Sequence, residues 1–89
     1  MKHLTIRIYG RVQGIFFRGS AKEMADSLGI SGYAKNNPDG SVLIEAEGEE
    51  AAIRKFLAWC EKGPESAEVR RVEKEEGTLQ NFKKFSVKF

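Results

Sequence analysis

The residues from Gly10 to Arg18, G-R-V-Q-G-I-F-F-R, combine types and spacings that suit the binding of an anion. Two glycines four residues apart let the backbone curl. The N–H groups from Gln13 through Gly14, Ile15, Phe16 and Phe17 to Arg18 can then turn toward one point as a nest. Arg18 stands where a helix-like segment begins, and a helix entrance favours negative charge through its unpaired N–H groups and its macrodipole. The planar guanidinium can meet two oxygens at once, which a lysine ammonium cannot. A phosphate or a carboxylate suits these parts. A glycine-bearing strand-to-helix connection with an incidental arginine would contain the same residues. Phe16 and Phe17 suit a core or pocket wall better than a ligand role.

Other chemistries find few residues here. Cys60 lies on an apolar helical stripe and reads as core. The sixth residue beyond it is Ser66, where a cysteine-dependent phosphate loop needs arginine. His3 is the only histidine and is expected at a frayed N-terminus, so no histidine relay is available. No His/Cys/Asp grouping has metal-ligand spacing, and the chain lacks G-x-x-x-x-G-K-[ST]. The expectation is therefore no metal and no cofactor. Asn36 and Asn37, just ahead of Pro38-Asp39-Gly40, read by themselves as turn residues.

The elements that must position this loop follow from periodicity. At 89 residues the chain suits one domain, residues 1–89, with one two-layer core. Leu4, Ile6 and Ile8 alternate with polar neighbours, which predicts a strand leading into the loop. Ala21, Met24, Ala25 and Leu28 line one face of a helix from Ser20 to Leu28, which Gly29 ends. Ile30–Asn36 and Ser41–Glu47 form a hairpin about the Asn37–Gly40 turn. Ile53, Phe56, Leu57 and Cys60 mark a second helix over residues 49–62. Strands around Ala67–Val72 and Phe82–Phe89 close the chain, and the spacing of Val69 and Val72 suggests a bulge in the first. The order is β-α-β-β-α-β with a further short strand. Two helices packed on one face of a mostly antiparallel sheet make an α+β, ferredoxin-like sandwich.

Charge and composition add limits. Fifteen basic and 13 acidic residues give a net charge of +2, a weak argument for a nucleic-acid partner. One cysteine excludes an internal disulfide framework and suits a reducing compartment. No apolar run approaches membrane-spanning length and no signal-like segment opens the chain. A soluble, cytoplasmic protein without a membrane partner is the expectation.

G-R-V-Q-G-I-F-F-R closely resembles the first signature of the acylphosphatase family. The second signature is matched by G-Y-A-K-N-N-P-D-G-S-V from Gly32 to Val42, with Gly48 at the expected distance beyond. The resemblance covers essentially the whole chain. It departs mildly, with Ile15 for valine, Tyr33 for tryptophan and Ala34 for valine. It implies that Arg18 binds a substrate phosphate, aided by backbone N–H groups of Gln13–Arg18, and that Asn36 positions the attacking water. The family spacing N-x-x-x-G-x-V selects Asn36 over Asn37, since Gly40 and Val42 then fall into place. The implied activity is hydrolysis of small acyl phosphates to a carboxylate and inorganic phosphate, without metal. A monomer is the expectation. A C-terminal carboxylate at Phe89 could reach Arg18 and hold it. Two other readings stand beside this one. The first is a non-catalytic ferredoxin-like module binding an anion or RNA, with Arg7 and Tyr9 on the sheet face. The second is an acylphosphatase-like domain of a larger carbamoyl-transferring maturation protein. A chain that begins at Met1, ends after its last strand and lacks zinc modules favours the stand-alone enzyme.

Overall fold

In the computed structural model of the chain, which describes residues 1–89, seven elements follow in order. They are β1 (Lys2–Arg11), α1 (Phe17–Leu28), β2 (Ser31–Asn36), β3 (Val42–Gly48), α2 (Glu50–Lys62), β4 (Glu68–Gly77) and β5 (Phe85–Val87). The five strands lie in the order β4-β1-β3-β2-β5. β1 pairs antiparallel with both β3 and β4, β2 pairs antiparallel with β3, and β5 runs parallel to β2. The ferredoxin-like expectation holds, with β5 as an added edge.

Register explains the core. Leu4 faces Ala46, Ile6 faces Ile44 and Ile8 faces Val42, while Ala34 flanks Ile44 from β2. All of these side chains are buried on one sheet face. Against that face α2 supplies Ile53, Phe56 and Cys60, and α1 supplies Phe17, Ala21 and Ala25. The same register puts Asn36 beside Val42, at the end of the Ile8–Val42 row. A polar residue thus ends an apolar row where β1 runs into the Gly10–Arg18 loop.

Several boundaries differ from the sequence expectation, three of them for a clear physical reason. α1 begins at Phe17 rather than Ser20, because Phe16 adopts left-handed dihedrals (φ 63°, ψ 27°) and turns the chain into the helix early. β4 continues to Gly77, well beyond Val72. It is an edge strand whose last residues, Glu73–Gly77, are exposed, so no apolar alternation marks them. β5 is only Phe85–Val87, since Phe82 leaves the strand line to stack on His3 at 6.1 Å between ring centroids. The expected bulge is present: Tyr9 pairs with Arg71 but Gly10 with Val69, which leaves Arg70 extra. Gly10 (φ 133°) therefore serves the bulge, where an added Cβ would lie 2.1 Å from the Glu68 carbonyl oxygen. It belongs to the sheet and not to the loop that follows.

The second sheet face corrects the expectation for His3. Far from fraying, His3 is 4% exposed and lies between two carboxylates. Its Nδ1 is 2.7 Å from Glu47 Oε2 and its Nε2 is 2.6 Å from Glu45 Oε1. Thr5 Oγ1 also donates to Glu45 Oε1 at 2.7 Å. The 78–84 connection crosses this face, and the backbone N–H groups of Gln80 and Phe82 both donate to the Glu47 carboxylate. Burial alone lowers the imidazole pKa, but hydrogen bonds to Glu47 and Glu45 and their charges outweigh it, and the net shift is upward. For Glu47 burial pushes upward, yet the Gln80 N–H, the His3 ring and the Phe82 N–H prevail and hold it below its ordinary value.

Candidate active site

The chain leaves β1 at Arg11, and Val12 is buried, which anchors the start of the loop. From there the sign of φ alternates. Gly14 (75°) and Phe16 (63°) are positive, while Ile15 and Phe17 are not. Alternation of this kind aims successive N–H groups into one concavity. Glycine adopts the Gly14 geometry without a steric penalty, but a phenylalanine in the left-handed region costs about 1–2 kcal/mol. Phe16 is also 70% exposed, so burial of its ring does little to offset that cost. Such strain persists where surrounding structure dictates it, and it clusters at ligand clamps. The Phe16 ring lies over Gly19, where an added Cβ would come within 2.3 Å of it.

The helix entrance is left open. The first intrahelical bond runs from the Ser20 N–H to the Phe16 carbonyl at 3.0 Å, so the amides of Phe17, Arg18 and Gly19 have no helical acceptor. No side chain caps them, and no acidic residue occupies the first turn. An anion would find three free donors and the positive end of the α1 dipole there.

Arg18 is held from the C-terminal side. Its Nη1 donates to the Lys88 carbonyl at 2.5 Å, and its guanidinium carbon lies 4.8 Å from the Phe89 ring centroid. The anchors are thus a main-chain carbonyl and an aromatic ring, where the sequence suggested the terminal carboxylate. A carbonyl takes up one of five guanidinium donors and leaves the charge unneutralised. Lys88 is itself fixed to the sheet, its N–H donating to the Ala34 carbonyl at 2.8 Å.

Arg18, Asn36, Gly14, Phe16, Val87 and Phe89 all border one cavity of about 530 Å³. This brings together the two residues singled out from the two sequence motifs. Phe17 belongs to core and site alike, 2% exposed yet part of the cavity wall. Ile15 packs against the core and does not border the cavity. Gln13 likewise turns away, its side-chain amide donating to the Asn37 carbonyl at 2.8 Å and the Ser41 carbonyl at 2.9 Å. Sequence reading assigned Gln13 only a backbone role, and its side-chain contacts left no signal along the chain.

The turn beyond Asn36 closes on itself. The Asn37 N–H donates to the Ser41 carbonyl at 2.8 Å, and the Gly40 N–H donates to the Asn37 carbonyl at 3.1 Å. Asn37 Nδ2 donates to Ser41 Oγ at 3.1 Å, so its side chain serves the turn as expected. Asp39 accepts the Ser41 hydroxyl at 2.6 Å and the Ser41 N–H at 2.9 Å, and those bonds hold its carboxyl below the usual range. Cys60 is fully buried and its thiol pKa is pushed upward, first by burial and then by the Glu61 charge. It is packing, not a nucleophile. A smaller cleft of about 280 Å³ lies where α2 meets β1 and β4, and there Lys2 is already paired with Glu50 and Glu76 at 3.4 Å each.

Fold and site together define a ferredoxin-like α/β sandwich with an uncapped helix entrance and Arg18 beside a cavity at one end of its sheet. The chain belongs to the acylphosphatase family, whose family model matches residues 4–87. The acylphosphatase of Thermotoga maritima is 47% identical over 89 residues, covering 100% of this chain and 99% of that one. The crystal structure of acylphosphatase from Bacillus subtilis superposes with a TM-score of 0.97 at 33% identity, with 100% of both chains covered. Full-length HypF in its phosphate- and nucleotide-bound form matches with a TM-score of 0.92 at 27% identity, across 99% of this chain and 12% of that one. Acylphosphatases are hydrolases acting on acid anhydrides, and this chain is one of them. No helix is long and apolar enough to cross a membrane.

Proposed function

We propose that the cavity bordered by Arg18 and Asn36 hydrolyses small acyl phosphates by direct attack of water on phosphorus. The observation that carries this reading is the uncapped entrance of α1, with its free amides and Arg18, opening on the same cavity as Asn36. The phosphoryl oxygens sit in the Gln13–Arg18 nest and against the Arg18 guanidinium, which neutralise charge as the transition state forms. Asn36 orients the water in line with the bond to be broken. The leaving group is a carboxylate with a pKa near ~4, which departs as a stable anion without a general acid. An asparagine takes up no proton at neutral pH, so the water's proton passes to a phosphate oxygen. The chain acts as one cytoplasmic, monomeric domain spanning residues 1–89. Nucleic acid is not a partner in this reading. Tyr9 and Tyr33, which β1 and β2 place on the second sheet face, are overlain by Arg71 and Lys88 at 4.2 and 4.0 Å from their ring centroids.

Hydrolysis of benzoyl phosphate in the presence of a chelator tests the proposal. Wild type should turn over, with inorganic phosphate as a competitive inhibitor. Arg18→Ala should weaken phosphate inhibition and lower kcat/KM by about 10³-fold, as removal of a transition-state donor does. Asn36→Ala should lower kcat by a comparable factor and leave phosphate inhibition within about twofold, because it loses only water alignment. Near wild-type turnover in either variant would overturn the assigned roles.

A further inference from the structure

Gln13 sits inside the anion loop, yet its side chain is spent on the other half of the site. One amide nitrogen donates to both the Asn37 and the Ser41 carbonyls, at 2.8 and 2.9 Å. The turn does not need those bonds for closure. It already carries the Asn37–Ser41 and Gly40–Asn37 backbone bonds, the Asn37–Ser41 side-chain bond and the Asp39–Ser41 pair. What the Gln13 amide adds is a tie between two separate segments, the loop that cradles an anion and the strand end that carries Asn36. The Asn37 carbonyl lies one residue beyond Asn36, and Ser41 adjoins Val42, the β3 partner of Asn36. Gln13 thus holds Asn36 from both sides of its strand pair.

We infer that Gln13 is a positioning residue that sets the distance from Asn36 to the anion cradle, an inference that rests on the reading of Asn36 as the residue that orients water. It touches no reacting atom. Alignment matters because a displacement of roughly 1 Å at a reacting centre can cost about 10²-fold in rate. The unbranched amide is suited to this work. It bears two hydrogens on one planar nitrogen, enough for two carbonyls and no charge to perturb the phosphate.

The test is a double-mutant cycle with Asn36→Ala, read by benzoyl phosphate kinetics. Gln13→Met keeps the length of the side chain and removes the donors. Alone it should lower kcat by about 10- to 100-fold and leave phosphate inhibition within about twofold. In the Asn36→Ala background the same change should cost less than about twofold, because its effect passes through Asn36. An equal loss in both backgrounds, a parallel loss of phosphate binding, or no loss at all would overturn the inference while wild-type turnover upholds the acylphosphatase reading. Inactive wild type would instead remove that reading and this inference with it. Should Gln13→Met fail to fold, Gln13→Asn, which keeps the donors on a shorter stem, carries the same cycle.

Discussion

At the Arg11 end of β1, the amides of Phe17–Gly19, the Arg18 guanidinium and Asn36 open on a cavity of about 530 Å³. At the Lys2 end, on the opposite face, His3 and Glu47 lie beneath the 78–84 connection with their polar atoms paired to one another, to Glu45 or to backbone amides. The two regions dispose of their polar groups in opposite ways. Satisfied polar groups fix one arrangement of the chain. Free donors beside a strained Phe16 stay available to a ligand. The contrast lies in which donors the fold leaves unspent, and the proposed function rests on those of the first region.

Exchanging damage between the two regions tests that contrast most strongly. Arg18→Ala should cost about 10³-fold in kcat/KM and under about 1 kcal/mol in stability, since it loses one exposed carbonyl bond and a ring contact. Glu47→Gln should do the reverse. It puts amide hydrogens against backbone N–H donors or His3 and leaves the imidazolium short of a partner, at a cost of about 3–5 kcal/mol. Its folded fraction should keep wild-type kcat. Urea denaturation with benzoyl phosphate kinetics on the same samples measures both, and a large rate loss in folded Glu47→Gln would break the separation.

The pH dependence of stability comes next in size. Glu47 has a lowered pKa when folded, so its contribution is full above its ordinary 4.5 and is lost as pH falls through the lower native value. His3 has a raised pKa, so its contribution is full below its ordinary 6.5 and is lost as pH climbs through the higher native value. The urea midpoint of wild type should therefore peak between pH 4.5 and 6.5, and the acid limb should flatten in Glu47→Gln. A wild-type midpoint that keeps rising from pH 6 to 9 would contradict the assignment of an imidazolium to His3.

The smallest effect sharpens the strain argument. Phe16→Gly should stabilise the chain by up to about 1 kcal/mol, the left-handed penalty relieved less the entropy of an added glycine. Phe16→Ala retains the penalty and should give no such gain. Equal stabilisation by both would assign the cost to the exposed ring and not to the backbone.

Much of the fold was legible because burial leaves a period in the chain. Leu4-Ile6-Ile8 and Ile53-Phe56-Leu57-Cys60 announce a strand and a helix, and Val69 with Val72 announces the bulge at Arg70. The end of β4 was illegible, since a charged edge strand leaves no alternation, and so was the 78–84 crossing that takes Phe82 out of its strand. At the candidate site, Gly14, Arg18 and Asn36 stand out by type and spacing and the structure brings them to one cavity, whereas Gly10 lies in β1 and not in the loop, and the tie made by Gln13 left no trace along the chain. The buried His3 pair was likewise invisible, because its partners lie 42 and 44 residues away.

By itself the sequence determined which elements form, which faces they bury and which residue types stand at the strand-to-helix loop, since these depend on neighbours within a turn or a pleat. Only the tertiary structure decided that Arg18 leans on Lys88 and Phe89, that Asn36 shares its cavity and that His3 is sealed between Glu45 and Glu47. Those outcomes hang on strand order and register, which bring distant residues within hydrogen-bond reach and leave no local periodicity to betray them.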